Sequence, residues 1–485
     1  MYKKISVDFF IGDVARVLQF CGATDFRLSI LICCVQMARI SLASYILMAL
    51  IPNIDSTVAR KMGFAEMSMR GSFRVAQTIA KVSPRALRWG LQRKMPPASE
   101  LRELFEALGA TYIKFGQFIA SSPSLFPKEY VDEFQQLLDQ TAAIPFRTVR
   151  KIIEEDLGRP VAQVYRHIDP VPLASASIAQ VHAATLVTGE DVVVKVQKPG
   201  VQAIITVDLH SVYVLTWLLE FMLPNTDRDA LTGLVAEMYQ AMIDECDFVK
   251  EAAHLDGFNA FLRSTGVQSV VAPKPYHRAS GSRVLTMERF YGSSLTDSAA
   301  LKRRNVDPAG ALFEALNVWF SSLMGCDFFH ADLHSGNMLL LEDGRVGFID
   351  FGMVGRVSAD SWQAVFGLFT GLGEEDYRKV AQSMLDVGMT RENISVDRLE
   401  RDIAEVFRAM NAVDTEALVF GQRASGTSDV NEVINSLGEV ARNHGIRFPR
   451  SFTLLLKQFL YFDRYVQMLA PGANMFDDER IIIGV

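Results

Sequence analysis

At 485 residues the chain is too long for one ordinary hydrophobic core, so two or three domains are expected. Charged residues make up 22% of it and the formal net charge is −7, and nothing in this balance suggests a general nucleic-acid binder. Five cysteines (Cys21, Cys33, Cys34, Cys246, Cys326), odd in number and without CxxC spacing, point to a reduced, intracellular protein with neither a disulfide framework nor a zinc site.

Lys3 and Lys4 precede a short apolar stretch, but Asp8 and Asp13 interrupt it and no small-residue cleavage site follows, so this is not a clean signal peptide. No Arg-rich, acid-poor transit peptide is visible either, which favours a bacterial or otherwise untargeted protein. The apolar run from Leu28 to Ile51 is long enough to span a bilayer, yet Arg39 sits in its middle. A central Arg costs about 2.5–3.5 kcal/mol on insertion scales. The run therefore reads as a buried helix pair broken near Arg39, or as an interfacial helix with Arg39 snorkelling, ahead of a spanning helix.

Residues 1–95 read as apolar helices with basic patches (Arg70, Arg74, Lys81, Arg85, Arg88, Arg93, Lys94). Met95-Pro96-Pro97 breaks the chain, and Ser99 is expected to cap the next helix with Glu100 at its start. Leu101, Leu104, Phe105 and Leu108 form its buried stripe, Gly109 bends or ends it, and Thr111 to Ser121 continues as a second stretch. Pro127 is expected to open another helix, with Tyr130, Phe134, Leu137 and Leu138 on its apolar face. Ile178–Val187 and Asp191–Val196 are strand-like and joined at Thr188-Gly189-Glu190, a hairpin signal. Helical stretches follow at about 205–222 and 228–262, strand-like ones at 268–272 and 283–288. From about 308 the chain reads as mostly helical apart from irregular loops.

The chemistry concentrates in His330-Ala331-Asp332-Leu333-His334-Ser335-Gly336-Asn337 and in Asp350-Phe351-Gly352. A carboxylate and an amide five residues apart, then a second carboxylate before a glycine, are what phosphoryl transfer needs. One Asp orients or deprotonates the attacking hydroxyl, while the Asn and the later Asp hold the metal ions that bridge the phosphates. DFG alone is a weak signal; the ordered set is a strong one. Val192-Val193-Val194-Lys195 alone reads most simply as an edge strand with a surface lysine, but upstream of these loops it matches the kinase strand lysine, which needs anionic partners. In Glu245-Cys246-Asp247-Phe248-Val249-Lys250-Glu251, Glu251 is the candidate partner, at a separation that requires inserted helices. The expected phosphate-covering turn, Leu173 to His182, has Ala174, Ser175, Ala176 and Ser177 where kinases use glycines, so it should be stiffer. Lys114 and Gln117 share one helix face beside Gly116, which allows close approach of another backbone.

Together, LGATYIKFGQ (108–117), ASASIAQVH (174–182), VVVKVQKPGV (192–201), ECDFVKEA (245–252), FFHADLHSGN (328–337) and FIDFG (348–352) resemble the UbiB or AarF-domain family of atypical kinases, over roughly residues 98–475. The resemblance implies an α+β, protein-kinase-like two-lobe fold, with a small mixed N-lobe, a helical C-lobe and an N-terminal helical KxGQ extension covering the active site. The expected segments are 1–95 (apolar and basic, membrane association), 96–168 (KxGQ extension), 169–290 (N-lobe with inserted helices) and 291–485 (C-lobe). It further implies that Lys195 holds phosphates and pairs with Glu251, that Asp332 occupies the base position, and that Asn337 and Asp350 bind Mg²⁺ or Mn²⁺. Met287, Glu288 and Phe290 would meet adenine of ATP or ADP, and Lys114 and Gln117 would reach into the cleft, with Lys114 near Glu245 or Asp247. Expected partners are a nucleotide, a prenylated phenol or quinone lipid, a membrane surface and quinone-biosynthesis proteins, with no nucleic acid. The expected location is cytoplasmic, peripheral on the inner membrane.

The family usually shows HADPHPGN, so Leu333 and Ser335 replace two prolines and the loop is expected to be less fixed. His254 stands where Asn is common. The leading expectation is an ATPase supporting ubiquinone or related lipid biosynthesis rather than a protein kinase; alternatives are a small-molecule or lipid kinase and a nucleotide-sensing scaffold without turnover. Direct hydroxylation of a prenylphenol is disfavoured, since no GxGxxG fingerprint, iron-ligand cluster or c-type haem motif is present.

Overall fold

The computed structural model describes residues 96–120, 128–134, 136–137, 142–222, 230–295, 297, 307–388, 394–419, 430–446, 448–470 and 480, with scattered residues of 77–89. The apolar run 28–51 and Pro127 lie outside them. Among the described residues no helix is long and apolar enough to cross a membrane.

Helix α1 (Ala98–Leu108) already begins at Ala98, so Ser99 falls inside its first turn rather than capping it. Pro97 takes the capping position in an extended conformation, without a side-chain hydrogen bond. Gly109, at φ 98°, ends α1, and α2 (Ala110–Ala120) follows. Helix α3 (Lys128–Phe134) is short, and Leu137 is buried just beyond its end. Helix α4 (Phe146–Leu157) leads into β1 (Tyr165–Ile168), β2 (Ala174–Ser175), and the hairpin β3 (Ala179–Leu186) and β4 (Asp191–Gln197). Helices α5 (Val201–Met222), α6 (Ala230–Glu245) and α7 (Phe248–Thr265) follow. The expected single stretch at 228–262 is thus two helices. The break falls at Cys246-Asp247, where the Asp247 carboxylate accepts from the backbone of Val249 at 3.1 Å and Lys250 at 3.4 Å and caps α7. Strands β5 (Val270–Val271), β6 (Val284–Glu288) and β7 (Gly292–Ser294) precede α8 (Pro308–Gly325).

After α8 the chain is less helical than expected. Four short strands, β8 (Phe329–His330), β9 (Met338–Leu341), β10 (Val346–Phe348) and β11 (Val354–Gly355), frame the segments Asp332–Asn337 and Asp350–Gly352. At two to four residues each they are too short to show a period. The chain closes with α9 (Ala359–Gly373), α10 (Tyr377–Val387), α11 (Val396–Val419), α12 (Val430–Asn443) and α13 (Arg450–Leu469).

The chain divides into two compact units. The first comprises residues up to Ala120, Asp132–Asp139 and Gly200–Met242. Within it α1 packs on α2 and α2 on α5. Phe105 meets Phe115 and Phe134 edge-on at centroid distances of 5.8 and 5.0 Å, and Arg102 bridges Glu106 and Glu133.

The second unit holds the rest of the chain. Its first core lies between α4 (Val149, Ile152, Ile153) and the sheet (Val192, Val194, Val196), all buried. That sheet is antiparallel in the order β1-β3-β4-β6, with β2 on β3. The alternation of Val192, Val194 and Val196 sends the valines to the core, so Lys195 projects from the opposite face. A second core gathers Phe258, Trp319, Phe348, Phe459 and Phe462 from α7, α8, α13 and the sheet β5-β10-β9-β7, with Phe351 from the turn after β10. The ladder of β8 with β11 holds the start of the His330–Asn337 segment against the chain that follows Asp350-Phe351-Gly352.

Candidate functional site

Lys195 on β4 lies between two carboxylates. Its Nζ donates to both oxygens of Glu251, in the first turn of α7, at 2.8 and 2.9 Å, and to Asp350 Oδ1 at 2.9 Å. Burial works against the lysine's charge, but Asp350 and Glu251 outweigh it and hold the ammonium protonated well above the usual lysine range. Burial pushes the Glu251 carboxyl up to about 7, with Lys195 opposing. Asp350 is 46% exposed, so the triangle opens to solvent on its side. It also adopts φ 62°, a left-handed conformation that Asp tolerates better than most side chains and that recurs at functional sites. A Cβ on Gly352 would stand 3.1 Å from Asp350 Oδ1, 3.7 Å from Glu251 Oε2 and 4.0 Å from Glu245 Cγ, so a side chain there would crowd the triangle.

The segment from His330 to Asn337 is held from several sides. His330 is buried, and burial pushes its pKa down to about 4. Neutral, it donates from Nε2 to the Ile349 carbonyl at 3.0 Å and accepts the Asp332 N–H at Nδ1 at 3.2 Å. The Trp319 indole donates to the His330 carbonyl at 2.9 Å. Asn337 Nδ2 donates to the Asp332 carbonyl at 2.9 Å, and Ile349 N–H donates to the Asn337 carbonyl at 3.0 Å. These bonds tie Asp332, Asn337 and the residue before Asp350 into one framework. His254 donates from Nδ1 to the Phe351 carbonyl at 3.1 Å, fixing the loop from α7. With its NH₂ engaged, Asn337 presents its carbonyl oxygen. That oxygen and the Asp350 carboxylate could together hold a hard divalent ion, since both are oxygen donors of the kind that suits Mg²⁺ or Mn²⁺ completed by nucleotide phosphates rather than an all-protein cage.

Ala174 and Ser175 lie in β2, facing Val181 and Gln180 across the turn. The Ala176 N–H closes it on the Ala179 carbonyl at 2.8 Å, and no residue of the turn takes positive φ. Ser177 is buried, and the buried Ser175 hydroxyl has no hydrogen-bond partner among the described residues, a donor suited to a ligand oxygen. Met287 and Glu288 end β6; the Glu288 N–H is bonded to the Lys274 carbonyl at 2.9 Å, and Phe290 lies over Gly347 of β10. Lys114 and Gln117 are half-buried on α2 in the first unit, whereas Glu245 ends α6 and Asp247 caps α7 in the second. Gly116 admits the side chains of Phe134 and Leu137, whose atoms would lie within 2.5 Å of a Cβ there; this is side-chain rather than backbone approach.

Residues 136–384 match the model of the ABC1 atypical kinase-like domain. The chain belongs to that family. Among the family's relatives, an uncharacterized, chloroplastic aarF domain-containing protein kinase of Arabidopsis thaliana is 44% identical, over 79% of this chain and 74% of the relative. A probable protein kinase UbiB of Azotobacter vinelandii is 31% identical, over 80% of this chain and 71% of the relative. Among solved structures, the erythromycin complex of Rv3197 from Mycobacterium tuberculosis is similar at 21% identity and a TM-score of 0.45, covering 74% of this chain and 91% of that one. The mixed sheet-and-helix architecture agrees with an ABC1 kinase-like domain.

Against the expectation of a loosely fixed 330–337 loop, Leu333 is fully buried, with its N–H held by Gln458 Oε1 at 2.8 Å and its carbonyl by the Tyr465 hydroxyl at 3.3 Å. Sequence reasoning also missed Lys457, whose Nζ donates to Asp332 Oδ1 at 2.7 Å from a helix 125 residues downstream. The one sequence signal was Gln458, an amide inside the apolar stripe Leu455, Phe459, Phe462.

Proposed function

We propose that this ABC1-family chain binds a nucleotide with Mg²⁺ or Mn²⁺ and hydrolyses ATP, supporting biosynthesis of ubiquinone or a related isoprenoid lipid at a membrane surface. The observation that carries the nucleotide reading is the Lys195–Glu251–Asp350 triangle beside the bonded Asp332–Asn337 pair. In it, Lys195 binds the α/β phosphates while Glu251 orients it, and Asn337 and Asp350 hold the divalent ion. Bound there, the ion neutralises charge on the phosphates. Asp332 orients the attacking oxygen and takes its proton. Ala174 to Ser177 cover the phosphates with backbone and hydroxyl donors, and Met287, Glu288 and Phe290 line the adenine end. Lys114 and Gln117 are the residues proposed to restrict access, so that a peptide is not the acceptor. The lipid part of the reading draws on relatives named UbiB.

The deciding experiment is hydrolysis of ATP with Mg²⁺, with and without anionic liposomes plus a water-soluble phenol, beside Asp350→Asn. Turnover that rises with liposomes and phenol and is lost in the variant is the expected result. Asp350→Asn should also abolish the thermal shift that MgATP confers, and an unchanged shift would contradict the metal assignment. Nucleotide binding without turnover would move the reading to a nucleotide-sensing scaffold.

A further inference from the structure

Three contacts join α13 to the catalytic loop. The Lys457 ammonium meets Asp332 Oδ1 at 2.7 Å and lies 5.5 Å from the Tyr461 ring centroid, with its side chain only 12% exposed. The next residue, Gln458, is buried and accepts the Leu333 N–H, and Tyr465, two turns further on, donates to the Leu333 carbonyl. Lys195 is already committed to Glu251 and Asp350, so the lysine that meets Asp332 comes from a different element. A partly buried ion pair of this kind is costly to break from one side, because the remaining charge is left uncompensated. The Gln458 contact has a sequence condition: a proline at 333 would have no N–H to give. The chain therefore substitutes a hydrogen-bonded anchor for the rigidity that a ring would supply.

We propose that α13 is the positioning element of the catalytic loop. Lys457 fixes the orientation of the Asp332 carboxylate, while Gln458 and Tyr465 fix the backbone beside it in place of proline. This rests on the reading of Asp332 as the group that orients the attacking oxygen.

The test uses the full chain and compares Lys457→Met, Lys457→Arg, Asp332→Asn and the double variant Lys457→Met/Asp332→Asn. Three quantities are read: kcat for MgATP hydrolysis, Kd for MgATP and the urea midpoint. Lys457→Met should lower kcat about 10²-fold, the scale of a small misplacement at a reacting centre, with Kd changed less than about twofold. Lys457→Arg should restore most of the rate. The double variant should be no slower than Asp332→Asn alone, because Lys457 acts through Asp332. Additive losses, or a loss confined to Kd or to the urea midpoint, would overturn the proposal. If the unaltered protein shows no turnover, it is the proposed activity that fails. The urea midpoints then decide the contact: coupling between positions 457 and 332 upholds it, and strict additivity removes it. A second comparison addresses the proline substitution. Leu333→Pro should destabilise the unaltered chain more than it destabilises a Gln458→Leu chain, where no amide is orphaned; equal effects would overturn that half of the inference.

Discussion

Both ring nitrogens of His330 are committed to backbone groups, one as donor and one as acceptor, which only the neutral ring can satisfy. Its folded pKa is depressed to about 4 by burial, below the ordinary value of 6.5. The stability this neutral histidine contributes is therefore fully present above pH 6.5 and is lost as pH falls through about 4. The difference amounts to about 3 kcal/mol. Urea unfolding at pH 7 and pH 4.5 should show a steeper acid loss for the parent than for His330→Gln; parallel losses would exclude His330 as the source. Residues of this kind show how far the sequence could be read. Lys195 and Glu251 stand 56 residues apart, yet each sits in a recognisable local motif, and the structure places them in one ion pair. Lys457 has no motif around it, and its contact with Asp332 depends on where α13 packs, which no local pattern specifies. Leu333 misled because a missing proline was read as lost rigidity, whereas tertiary hydrogen bonds supply an anchor that the local sequence does not reveal.

Among the elements, the hairpin of β3 and β4 was legible because its strands run to eight and seven residues around a Gly turn at φ 107°. Strands β8 to β11 were not, since neighbours rather than their own sequence define them. The break between α6 and α7 was likewise hidden: apolar spacing continues across it, and only Asp247 marks the new start. Close packing of α2 yields a prediction at this scale. Gly116→Ala would drive a methyl into Phe134 and Leu137, both buried. Overpacking of this sort costs about 1–3 kcal/mol, so the variant should unfold at lower denaturant with its nucleotide affinity retained. An unchanged midpoint would mean that α3 yields to the added methyl.

For the molecule as a whole, the proposed membrane contact is assigned to residues 1–95, where basic and apolar residues are interleaved. A chain beginning at residue 96 should lose sedimentation with anionic liposomes while retaining MgATP binding; retained sedimentation would move the contact to another surface. The division into units carries a further consequence for how the protein is made. The chain leaves the second unit at Pro199, contributes Gly200–Met242 to the first, and returns at Ile243. A nascent chain that has just emitted α1 and α2 therefore lacks α5, on which α2 packs. The strand bearing Lys195 likewise emerges well before the helix bearing Glu251. The first unit is complete only once Met242 has emerged, after part of the second has already been made, and neither corresponds to a single contiguous gene fragment that could be shuffled or expressed alone.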